Sequence, residues 1–119
     1  MAQHNDLGKW GEKIAENYLI KQGFDIIERD WHSGHRDIDI VAIKDSVIHF
    51  VEVKTRRVSD YATPSIILPY NKRKNLLLAI NHYIKSHVID LDFQFDLITI
   101  IGNQGITPQI DVLENISLY

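Results

Sequence analysis

Two runs of β-branched residues, Asp37 to Ile43 and Val47 to Lys54, flank a short polar break and constrain this chain more than any other feature. Such a pattern signals a β-hairpin. Side chains alternate along a strand, so Asp37, Asp39, Val41 and Ile43 fall on one face, with Ile38, Ile40 and Ala42 on the other. In the second run Ile48, Phe50, Glu52 and Lys54 share a face opposite Val47, His49, Val51 and Val53. A two-residue turn at Asp45-Ser46 pairs Lys44 with Val47, which sets Asp39 across from Glu52 and Asp37 across from Lys54. Cross-strand Cβ atoms in such pairs lie about 4.5–5.5 Å apart. A slip of one residue would take Asp39 off the face of Glu52, and Asp-Ser lacks the glycine that the tightest hairpin turns favour.

Opposed carboxylates on paired strands repel unless something positive lies between them. Carboxylates joined by a backbone carbonyl suit a hard cation such as Mg²⁺ or Mn²⁺, here Asp39, Glu52 and the carbonyl of Val53. A metal held so can polarise a phosphoryl oxygen and activate a water. Lys54 shares the face of Glu52, where an ammonium can orient that water or meet charge building on phosphorus. The same residues also read as a plain ion-pair cluster on an exposed sheet. Against that, both strands are apolar on both faces, which points to a covered sheet in which charges need partners.

Asp39 with Glu52-Val53-Lys54 resembles the core of the PD-(D/E)XK nucleases. The wider string is similar to the YraN-like family of uncharacterised bacterial proteins, related to archaeal Holliday-junction resolvases. Its matching pieces are Gly11-Glu12, Ala15, Tyr18-Leu19, Asp37-Ile38-Asp39, Phe50 to Arg56, Lys72, Ala79, Tyr83-Ile84 and Phe95-Asp96. The family usually carries Gly-Glu-Ile-Asp where this chain has Arg36-Asp37-Ile38-Asp39, and an arginine where Gln94 stands. The first swap keeps the charge; the second removes a cation beside Asp96. The resemblance implies a restriction-endonuclease-like α/β fold and a Mg²⁺-dependent endonuclease acting on DNA, branched or structured. It implies that Glu12 leans toward the metal as a further carboxylate. Resolving a four-way junction takes two paired cuts, so it also points to a homodimer. A catalytically idle module on the same scaffold, binding nucleic acid or a protein, is the other reading.

At 119 residues the chain reads as a single domain spanning 1–119. A composition of 45% hydrophobic and 24% charged residues is that of an ordinary globular protein. Zero cysteines excludes disulfides and thiolate metal sites. The N-terminal residues lack the basic and apolar regions of a signal peptide, so a cytoplasmic location is expected. The net charge of −3 argues against a general polyanion-binding surface. Local clusters temper this: Lys54, Arg56 and Arg57 after the hairpin, and Lys72, Arg73 and Lys74 at a helix start.

Asp6 is the expected N-cap, and Gly23 the C-terminal stop, of a first helix over 7–22 with Glu12 at the border of its apolar arc. An acid there is ordinarily just solvated. Gly8 and Gly11 weaken that helix by about 1 kcal/mol each relative to alanine, which hints at close approach to the sheet or a phosphate. A first strand is expected over Phe24 to Asp30 and a loop over Trp31 to Arg36. Trp31 reads as a lid on the core, and His32 and His35 as solvated loop residues, since no third histidine or cysteine completes a zinc set. The polar loop from Thr55 to Ser65, with Arg56, Arg57 and Tyr61, reads either as a grip on a phosphate backbone or as a solvated connection.

Pro69 precedes a helix capped by Asn71 and running to about His87, with Leu76, Leu77, Ile80, Tyr83 and Ile84 as its buried stripe. Lys72 in its first turn can point along the sheet toward Glu52. Cations there oppose the helix dipole, so Lys72 and Arg73 are candidate contacts to an anionic partner, beside the reading as solvated charges. Phe93 to Ile101 and Gln109 to Glu114 are the last two strands, with Asp96 a structural hydrogen-bonder. The expected order is α-β-β-β-α-β plus a short final strand, with a helix on each face of a mixed sheet.

Overall fold

The computed structural model describes residues 2–57 and 68–119, with side chains from residue 6 onward. The elements run α1 (Ala2–Lys21), β1 (Asp25–Ser33), β2 (Arg36–Lys44), β3 (Val47–Arg56), α2 (Tyr70–Ser86), β4 (Asp92–Ile101) and β5 (Gln109–Leu113). They build one mixed sheet in the order β1-β2-β3-β4-β5, parallel only between β3 and β4. Parallel neighbours need a long crossover, and α2 lies on it. Among the described residues no helix is long and apolar enough to cross a membrane.

The expected register holds where the ladder runs, with Lys44 opposite Val47 and Ile40 opposite Val51. Asp45 and Ser46 both take positive φ, at 51° and 63°, the left-handed pair of a type I′ turn whose twist matches the strands. Each face of β3 then meets its own helix. Val51 and Val53 pack with Ala15 and Leu19 of α1, while Ile48 and Phe50 pack with Leu76, Ala79, Ile80 and Tyr83 of α2.

Several boundaries differ from the sequence expectation. Helix α1 begins at Ala2, so Asp6 lies inside it rather than capping it. Its end is as expected: Gly23 at φ 93° donates to Ile20 O and Phe24 N donates to Leu19 O, the paired bonds of a Schellman stop. The loop expected over Trp31 to Arg36 is a second tight hairpin, with Ser33 opposite Arg36 and Gly34 supplying the positive φ. Pro69, not Asn71, holds the N-cap position of α2; Asn71 lies within the first turn and no side chain caps the helix. Proline suits a helix entrance because its missing N–H has no intrahelical partner there. The stretch 58–65, with Tyr61, lies outside the described residues. Beyond β5 the chain turns back, with Ile116 N donating to Phe95 O at 2.8 Å and Leu118 buried in the α2-side core.

Candidate metal centre

The alternation expected along β2 breaks at Asp39. Val41 and Ile43 face α2 and Ile40 and Ala42 face α1, yet Ile38 joins Val41 on the α2 side. The β2–β3 ladder ends at the Ile40–Val51 pair, while β2 stays paired with β1 down to Arg36. At the opening between the strands, Asp39 Oδ2 accepts the backbone N–H of Val53 at 2.8 Å. The carboxylate has taken up a donor that a continuing ladder would have used.

Two more acids converge there. Asp30 sits across from Asp39, between the Arg29–Ile40 and Trp31–Ile38 pairs, with its backbone at φ 48°. Glu12 comes from α1, and one carboxylate oxygen from each of Glu12, Asp30 and Asp39 lies within 4.8 Å of the others. Gly11 explains how the helix comes so close: a Cβ there would overlap the Thr55 side chain of β3. Gly8 shows no such approach among the described residues.

The energetic signature is burial compounded by repulsion. Burial, then the charge of Glu52, pushes Asp39 up to about 8, with Glu12 and Asp37 adding to it against the pull of the Val53 N–H. Burial, then Asp30, pushes Glu12 up to about 7. Glu52 has found a partner. Its side chain is buried at 8% exposure and its Oε2 lies 3.0 Å from Lys72 Nζ. Burial pulls Lys72 down, but Glu52 and the charges of Asp37 and Asp39 lift it above the ordinary lysine value.

The expected pairing of Asp39 with Glu52, and of Asp37 with Lys54, on one face of the hairpin is not formed, because the ladder ends one pair earlier. Asp39 joins Glu12 of α1 and Asp30, while Glu52 stays within electrostatic reach but is bound to Lys72 of α2. Val53 contributes its N–H to Asp39. Lys54 is half-buried one step further along β3, and among the described residues it joins no ion pair. Of the four cations expected to grip a nucleic acid, Lys72 reaches the acids. Arg73 instead donates to Leu68 O at 3.3 Å and lies over the Tyr70 ring. Arg56 ends β3 half-buried, with its carbonyl accepting Gly102 N–H, and Arg57 is exposed.

Sequence reasoning missed Asp30 and a set of cations on α1. A groove of about 220 Å³ beside the cluster is lined by Lys9, Glu12, Lys13, Glu16, Arg29, Asp30, Asp39 and Ile40. Positions 9, 12, 13 and 16 share one helix face, a polar stripe visible in the sequence. The Arg29 guanidinium, 2.8 Å from Glu16, holds that carboxylate below its usual range and walls one side of the groove.

Residues 11–100, which include every acid of this cluster, match the uncharacterised protein family UPF0102. A UPF0102 protein of Bacteroides thetaiotaomicron is 43% identical over 105 residues, covering 88% of this chain and 87% of its own. One from Flavobacterium psychrophilum is 40% identical over 100 residues, covering 84% of each chain. One from Porphyromonas gingivalis is 37% identical over 116 residues, 97% of this chain and 86% of that protein. A match over so much of the length, in a chain whose elements follow the expected order, makes this protein a member of the UPF0102 family.

Proposed function

We propose that this protein is a metal-dependent endonuclease of the PD-(D/E)XK kind, acting on DNA and on structured or branched DNA in particular. The observation that carries the reading is the convergence of Glu12, Asp30 and Asp39, with Asp39 anchored on the Val53 amide. Its donor set is all oxygen, the chemistry that suits Mg²⁺ or Mn²⁺. Acids raised toward neutral pH by burial, and then by one another's charge, are groups that gain from a cation. A divalent ion would supply polarisation of the phosphoryl oxygen and a more acidic bound water.

The chain's own groups do the rest. Asp39, Glu12 and Asp30 offer oxygens from β2, α1 and β1. Glu52, on leaving Lys72, and the Val53 carbonyl would be the further oxygens from β3. Lys54 holds the attacking water and offsets charge on phosphorus. Lys9, Lys13 and Arg29 along the groove bind backbone phosphates, with Arg56, Arg57, Lys72 and Arg73 as a further basic rim. Paired cuts across a junction call for two copies of the chain.

A second reading has one observation behind it. Lys72 already neutralises Glu52, so one acid of the motif is satisfied without metal, as in an idle module that binds nucleic acid or a protein. A cleavage panel of single-stranded, duplex, flap and four-way DNA with Mg²⁺ or Mn²⁺ separates the two. Cleavage lost in both Asp39→Ala and Lys54→Ala, each still folded, supports the enzyme; cleavage retained in both removes the mechanism, and DNA binding without any cleavage favours the idle module.

A further inference from the structure

Toward the other end of β3 lies a pocket of about 390 Å³ whose lining includes His49, Asp96 and Glu114. His49 and Asp96 are buried, at 7% and 3% exposure. Asp96 Oδ2 lies 2.6 Å from His49 Nδ1, while Asp96 Oδ1 accepts Gln94 Nε2 and Asn115 N, both at 2.9 Å. A carboxylate so close to Nδ1 accepts from a proton held there, which makes Nε2 the ring nitrogen open to a metal ion. Among the described residues Nε2 has no hydrogen-bond partner. The Phe24 ring, edge-on at 4.8 Å, holds the imidazole plane. One ligand atom each from His49, Asp96 and Glu114 lies within 4.8 Å of the others.

We propose that this pocket is a second cation site, distinct from the acid cluster and selective for a transition ion such as Zn²⁺. His49 Nε2 and the Glu114 carboxylate are the ligands, and waters fill the remaining positions. Asp96 is a positioning residue, since ligating histidines ordinarily give their other N–H to a carboxylate. Imidazole with a carboxylate suits Zn²⁺ better than Mg²⁺, which prefers an all-oxygen shell. The selectivity is thus opposite to that of the Glu12–Asp30–Asp39 cluster. Its role follows from where the ligands sit. His49 is on β3, while Glu114 begins the segment that returns past β4 to bury Leu118. An ion between them ties that segment to the sheet.

The test is a titration of the full chain with Zn²⁺, and separately with Mg²⁺, followed by the imidazole nitrogen signals of His49. Zn²⁺ should shift Nε2 saturably, in wild type and in Asp39→Asn alike, while Mg²⁺ leaves it unmoved. Glu114→Gln, at an exposed position, should fold normally and weaken Zn²⁺ binding at His49 about tenfold. An unmoved His49 ring at saturating Zn²⁺, or an affinity unchanged in Glu114→Gln, overturns the proposal.

Discussion

Asp96 and Asp39 are both carboxylates on inner strands of one sheet, yet their surroundings are opposite. Asp96 has a donor for each oxygen: His49 on one, Gln94 and Asn115 on the other. Asp39 has one amide and is otherwise ringed by Glu52, Glu12 and Asp37. The first arrangement is what a buried acid needs in order to stabilise a fold. The second costs stability and persists where charge is to be received. Acids at a sheet end are therefore told apart by their donors, not by their burial.

The sharpest way to break the comparison is to remove each acid. Asp96→Ala should cost about 3 kcal/mol, because His49, Gln94 and the Asn115 amide lose their acceptor together; denaturant unfolding measures it. Asp39→Asn should do the reverse in metal-free buffer, raising stability by roughly 2 kcal/mol at pH 8 and by little near pH 4. The sign follows from the raised values. The folded chain keeps protons on Asp39 and Glu12 that the unfolded chain has shed, so wild-type stability falls as pH climbs from the ordinary carboxylate range through about 7 and about 8. Millimolar Mg²⁺ should recover that loss, with a larger rise in Tm at pH 8 than at pH 5. Gly11→Ala should cost about 1–2 kcal/mol by forcing α1 off Thr55, and should blunt the Mg²⁺ response while leaving the Asp96 network intact. Smallest is Ser46→Gly, a gain of about 0.5–1 kcal/mol from relieving a left-handed non-glycine residue. It should leave both ends of the sheet as they are; a shift in Mg²⁺ response would mean the hairpin register had moved.

Much of the scaffold was legible because local signals agreed with the final packing. The two runs around Asp45-Ser46 gave the β2–β3 register, Gly23 the end of α1, and the stripe through Leu76, Ile80 and Tyr83 the buried face of α2. What escaped depended on pairing between segments. Asp30 lies opposite Asp39 only once Gly34-His35 closes a tight hairpin, and reading Trp31 to Arg36 as a loop hid that register. The face switch at Ile38 was hidden for a similar reason, since alternation assumes a continuous ladder and this one ends at Ile40. Helix capping failed at both N-termini: Asp6 and Asn71 have the right chemistry, but the helices start upstream of them.

The amide of Val53 gives the acid cluster an unusual kind of permanence. Because Asp39 is moored to main chain rather than to a side chain, its anchor is indifferent to which residue occupies position 53. Leucine or threonine would keep the mooring, and only proline, which has no N–H to offer, would cut it. The mooring thus survives nearly any substitution, and what restricts the side chain at 53 is its packing against α1 instead.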